Sequence, residues 1–89
     1  MNWRIEFSNK AAKFARKHNL LDTVQDLIGR FLKAREGYPG APDYRFLKGK
    51  WKGYYRIRHS DVRILFDLDR ENRIVYIEAI DRRDKVYRK

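Results

Sequence analysis

Three arginines spaced for one face of a β-hairpin are the residues of this chain best placed to do chemistry. In the stretch 53–69, GYYRIRHSDVRILFDLD, Tyr54, Arg56 and Arg58 alternate with Tyr55, Ile57 and His59. After a tight turn, Val62, Ile64, Phe66 and Leu68 form a period-two apolar row with Arg63 inside it. Side chains alternate faces along a strand, so one face of the hairpin is expected to be apolar and the other to carry arginine and tyrosine. A guanidinium stays charged and offers a planar fork that matches phosphate bidentately. This face therefore suits a phosphate-rich partner. Arginine is a poor base, its pKa lying above about 12, so any proton transfer has to come from another residue.

The elements that must position these arginines are legible on either side. Trp3, Ile5 and Phe7 alternate with polar residues as an opening strand, and Ser8 offers an N-cap to a helix over 10–18 that aligns Ala11, Phe14, Ala15 and His18. Asn19 is the expected break. Leu20, Leu21, Val24, Leu27, Ile28, Phe31 and Leu32 then give the strongest helical stripe of the chain. Gly29 weakens that helix by about 1 kcal/mol against Ala and is expected to allow close packing on the first helix. Gly37 closes it, and YPGAPDY at 38–44 is a loop. A short strand is expected over 45–48, a glycine-bounded turn over 49–53, hairpin strands over 54–59 and 62–68, and a final strand over 73–81. Short connections make the later strands antiparallel, and each helix has one apolar stripe to bury. The expected fold is α+β in the order β-α-α-β-β-β(-β), an antiparallel sheet with a two-helix hairpin packed on one face. Arg56, Arg58 and Arg63 then belong to the uncovered face.

Composition bounds the answer further. The 89 residues make a single domain, 1–89, and 43% apolar with 15% aromatic content is enough for a small core. The net charge of +10 is spread along the chain, and the stretch 44–60 holds six Lys/Arg and no Asp or Glu. Such a field draws polyanions and speeds their association. With no cysteine, disulfides and thiolate metal sites are excluded, and the composition is compatible with a reducing cytoplasm. The amino terminus has no apolar signal-like region, and no run is long enough to span a membrane.

Four motifs in order carry a resemblance: FLKG (46–49) before a turn, YYRIR (54–58), DVRILFDLD (61–69), and IDRRDKVYRK (80–89). Together with the two preceding helices, the chain resembles the RelE/ParE superfamily of type II toxin–antitoxin toxins, and its RelE-like branch in particular. That branch consists of ribosome-dependent endoribonucleases (mRNA interferases), which block translation by cutting mRNA through attack of the ribose 2′-hydroxyl on the adjacent phosphate. The resemblance implies a cytoplasmic, RNA-binding toxin with no cofactor or metal, partnered by the ribosome, mRNA and a cognate acidic antitoxin. The toxin alone is expected to be a monomer, and an oligomer with its antitoxin.

The resemblance also distributes roles. Arg56 and Arg58 stand where RelE-like toxins keep a basic pair, Arg63 matches the arginine of the next strand, and Arg83 and Tyr87 match the closing motif. The arginines would hold the RNA backbone and offset phosphorane charge, while Tyr87 would stack on a base or relay a proton. The chain departs from the pattern where relatives have a lysine pair and a closing histidine, so Glu78, His59 and Tyr87 are the candidate bases. The face of Glu78 is undecided by alternation, and that of His59 is the core side with Ile57. His18 reads as packing or helix-end capping, and Trp51 as an edge plug or a contact anchor. The alternative readings are a ParE-like inhibitor of DNA gyrase and a non-toxic binding protein of the same fold.

Overall fold

The computed structural model of the chain describes residues 2–82 together with Val86. Its elements are β1 (Arg4–Phe7), α1 (Asn9–Lys17), α2 (Leu21–Arg35), β2 (Asp43–Phe46), a 3-10 turn (Gly49–Trp51), β3 (Tyr55–His59), β4 (Val62–Asp69) and β5 (Ile74–Arg82). The strands form one sheet in the order β1-β5-β4-β3-β2. From β2 to β5 neighbours are antiparallel, as their short connections require. β1 joins β5 in parallel, which makes the sheet mixed. This pairing is the one feature of the α+β architecture that connection length does not dictate, because two helices intervene between β1 and the rest.

Local signals set the helices. Ser8 caps α1, its hydroxyl oxygen accepting from the Ala11 N–H at 3.0 Å. The helix ends at His18, whose ring lies 4.3 Å from that of Phe14, and Asn19 turns the chain with φ 56°. Asn tolerates that left-handed conformation better than most residues. α2 stops before Gly37, which takes φ 96°. Gly29 has no close neighbour: a Cβ there would meet nothing within 4 Å. The expected tight helix–helix approach at Gly29 is absent, and Ala11 and Ala15 are the fully buried small residues of α1.

The main core lies between the helices and one sheet face. Val24, Leu27, Ile28, Phe31 and Leu32 of α2 meet Ile57, Val62, Ile64, Phe66, Val75, Ile77 and Ile80. Phe31 is its centre, fully buried and in edge-on contact with Tyr44, Tyr55 and Phe66 at about 5 Å. The Val62–Leu68 row thus lies under the helices, as its alternation predicts. A second, smaller cluster sits on the opposite face: Leu65, Ala79 and Val86, flanked by Leu47, Trp51 and Tyr54. That face is not fully open as expected, because the 3-10 turn and Val86 cover its middle.

Two turns close the hairpins. Ser60 and Asp61 connect β3 to β4, with φ 56° at Ser60. Residues 70–73 connect β4 to β5 and end on Arg73, also at φ 56°. The left-handed region costs a non-glycine residue roughly 1–2 kcal/mol, and Gly or Asn is the usual choice there. No helix among the described residues is long and apolar enough to cross a membrane.

Candidate functional site

The face of the sheet away from the helices is organised in rows that run across the strands. Cross-strand partners share a face, so the registers place Asp43, Arg58, Arg63 and Asp81 side by side near the β3–β4 turn. The next row is Arg45, Arg56, Leu65 and Ala79. Beyond it lie Asp67, Tyr76 and Glu6, with Tyr54 alongside. All three hairpin arginines are therefore on the expected face, and Arg58 and Arg63 stand directly opposite one another.

Each arginine is held differently. Arg58 Nε donates to Asp43 Oδ2 at 2.8 Å, and Arg56 Nη2 is 3.9 Å from Asp43 Oδ1. Arg56 is largely covered, its side chain only 13% exposed, and its Nε is buried without a hydrogen-bond partner. An unsatisfied buried donor costs about 1–3 kcal/mol, more for a charged group. Arg63 folds back onto the turn, Nη1 donating to the carbonyls of Ser60 at 3.0 Å and Val62 at 3.1 Å. Arg82 pairs with Asp61 across the same turn. Only Arg58 of the three is well exposed.

Glu78 owes its orientation to a break in the ladder. Leu65 pairs with Ala79 and Phe66 with Ile77, so Glu78 is the extra residue of a β-bulge in β5. A bulge re-aims the side chain it carries, which is why strict alternation leaves the face of Glu78 undecided. Its carboxylate lies close enough to the Tyr54 hydroxyl, on the arginine-bearing face, for its charge to act on that phenol. Burial raises the Tyr54 pKa above its ordinary value, and the Glu78 and Asp67 charges push the same way. The main-chain carbonyl of Glu78, freed by the bulge, accepts from the Ser8 hydroxyl at 2.7 Å.

The remaining sequence candidates are not drawn into this group. His59 shares the parity of Ile57 at the last position of β3, but it is exposed rather than packed. Trp51 meets Tyr54 edge-on with ring centroids 5.6 Å apart and packs on the second apolar cluster, the part of an edge plug. Arg83 and Tyr87 lie outside the described residues. Sequence reasoning passed over two members, Tyr54 and Asp43. Tyr54 was signalled by sharing the parity of Arg56. Asp43 was hidden because β2 begins at residue 43, two positions before the expected start, so the acid facing both arginines read as loop.

A helical hairpin packed on one face of such a sheet is the fold of toxins from type II toxin–antitoxin systems. YafQ from Escherichia coli strain BL21(DE3) superposes with a TM-score of 0.69 at 17% identity, covering 98% of this chain and 100% of its own. The YoeB–YefM complex from Staphylococcus aureus gives 0.66 at 20% identity over 91% of this chain and 97% of the matched one. The RelBE2 toxin–antitoxin complex from Mycobacterium tuberculosis gives 0.59 at 21%, covering 93% and 100%. No curated protein sequence matches the chain. The family model for the ParE toxin of the type II toxin–antitoxin system parDE matches residues 4–87, and the chain belongs to that family.

Proposed function

We propose that this toxin is an mRNA endoribonuclease that works in the ribosome and uses the bulged face of its sheet. The observation that carries the reading is Glu78, turned by the bulge onto the arginine face beside the Tyr54 phenol. A carboxylate there can take the proton of a ribose 2′-hydroxyl as its oxygen attacks the adjacent phosphorus. The P–O5′ bond breaks, and the leaving oxygen takes a proton from a phenol, either Tyr54 or Tyr87. The products are a 2′,3′-cyclic phosphate and a 5′-hydroxyl. Arg58 and Arg63 hold the strand and offset the phosphorane charge, Arg56 adds charge from beneath, and Arg83 acts from the closing motif. The basic field supplies contacts to ribosomal RNA.

The partner that silences the toxin is an acidic antitoxin. The charge of +10 favours such a partner, and relatives of this fold are known in complexes with antitoxins. The site needs no cofactor, and the cytoplasm is where the ribosome and antitoxin are met.

A second reading is inhibition of DNA gyrase. It is favoured by the matching family model, which is named for the ParE toxin, and by arginines standing where the ribonuclease branch has lysines. Controlled expression of the toxin, with mapping of mRNA ends on purified ribosomes, separates the two. Cyclic-phosphate ends lost in Glu78→Gln support the ribonuclease. Intact mRNA together with DNA-damage induction selects gyrase, and unimpaired growth leaves only a binding role.

A further inference from the structure

A cleft of about 320 Å³ lies at the end of the sheet remote from Arg58 and Arg63, between the end of α2, the β4–β5 turn and the start of the chain. Trp3, Leu32, Arg35, Glu36, Arg70 and Arg73 line it. Its volume falls at the lower end of the range of small-molecule pockets. One wall is an indole and a leucine; the others bring three guanidiniums and one carboxylate.

A ring and a phenol hydroxyl are the neighbours of two of the guanidiniums, and no carboxylate is ion-paired to any of the three among the described residues. The Arg35 guanidinium lies 6.0 Å over the Phe31 ring. Arg70 Nη2 is 3.5 Å from the Tyr55 hydroxyl. Arg4, Arg30, Arg56, Arg58 and Arg82 have carboxylate partners, whereas Arg35, Arg70 and Arg73 line one cleft with no ion pair to a carboxylate among the described residues.

Arg73 supplies an independent observation. It occupies the left-handed position that closes the β4–β5 turn, with φ 56°, where glycine would sit without strain. The turn itself does not require the side chain, since the Asp69 carboxylate organises it through the Asn72 main-chain and side-chain N–H groups at 3.1 and 2.9 Å. Among the described residues, the strained backbone falls at a residue whose side chain lines the cationic cleft and makes no hydrogen bond within the turn.

We propose that this cleft binds a small phosphate-bearing ligand of the nucleotide class. Its phosphates are held by Arg35, Arg70 and Arg73, and its flat ring rests on Trp3. Guanidinium forks suit phosphate oxygens, and stacking on an indole tolerates any base. Glu36 opposes the ligand charge and limits its affinity. The site is separate from the bulged face and does not depend on how the toxin acts.

The test is calorimetric titration and thermal shift of the full-length protein with ATP, inorganic pyrophosphate and adenosine. ATP is expected to bind and raise Tm, pyrophosphate to bind at least several-fold more weakly, and adenosine to give no shift. Arg73→Gly is expected to leave Tm without ligand equal or higher while weakening ATP at least tenfold. Glu36→Gln is expected to tighten ATP a few-fold. The proposal is overturned if ATP gives no shift, if Arg73→Gly binds ATP like the wild type, or if Arg58→Ala abolishes ATP binding while Arg73→Gly does not. Equal affinity for ATP and pyrophosphate overturns the nucleotide assignment.

Discussion

The Ser8 hydroxyl donates to the Glu78 carbonyl at 2.7 Å across 70 residues of sequence, and the same oxygen accepts the Ala11 N–H at 3.0 Å. One side chain therefore starts the first helix and fastens the bulge that aims Glu78. Ser8→Ala removes both bonds. An N-cap alone is worth about 0.5–2 kcal/mol, and the freed carbonyl is part-buried, so a loss of about 2 kcal/mol is expected in urea denaturation. Hydrogen exchange should quicken at β5 as well as at α1; a change confined to α1 would mean that the bulge holds itself.

Glu78→Gln keeps shape and removes the proton acceptor. Under the ribonuclease reading, cleavage of ribosome-bound mRNA is expected to fall by about a hundredfold or more, with thermal stability nearly unchanged. Cleavage at the wild-type rate would take Glu78 out of the chemistry.

Tyr54 gives a pH signature. Its folded pKa is raised above the ordinary 10.0, so the unfolded chain releases this proton first as pH rises. The contribution of Tyr54 to stability is complete below pH 10 and is lost as pH climbs through the folded value. Tyr54→Phe should remove that part of the alkaline decline. The measurement is the difference in unfolding free energy between the two proteins from pH 9 to 12, in which the other tyrosines and the lysines cancel.

Gly29 offers a gain. It lies inside α2 with nothing within 4 Å of where a Cβ would stand. Gly29→Ala should stabilise by about 0.5–1 kcal/mol through helix propensity, visible as a higher urea midpoint at unchanged slope. Destabilisation would show that a neighbour closes on this position in solution.

Phe31→Ala tests the core. The ring is fully buried against three aromatic rings, and its loss should cost about 3–5 kcal/mol, a large share of the stability of a small domain. A cost below about 1 kcal/mol would mean that Tyr44 and Tyr55 refill the space.

Most of the architecture can be read from patterns that act locally. Ser8, Asn19 and Gly37 mark the helix ends, and the row from Val62 to Leu68 identifies the buried sheet face. Less accessible was what depends on contacts distant in sequence. The parallel partner of β1 lies some seventy positions away, and no local propensity encodes it. The bulge at Glu78 is a local slip in register that alternation cannot reveal, so the most informative residue of the site had no assigned face. Alternation puts Arg56, Arg58 and Arg63 on the face where the registers have them, but Asp43, which holds two of them, depends on a strand start that the loop composition of 38–44 disguises.

The place of β5 also governs when this protein can exist. β5 lies between β1 and β4, and residues 4–7 find their partners only at 74–77. During synthesis the first strand waits for the last, and Glu78 gains its backbone anchor at Ser8 only then. The bulged face is therefore assembled only after residues 74–78 have left the ribosome. A fragment released before residue 74 lacks Glu78 and the strand that joins β1 to β4, so incomplete synthesis yields a chain without the toxin's fold.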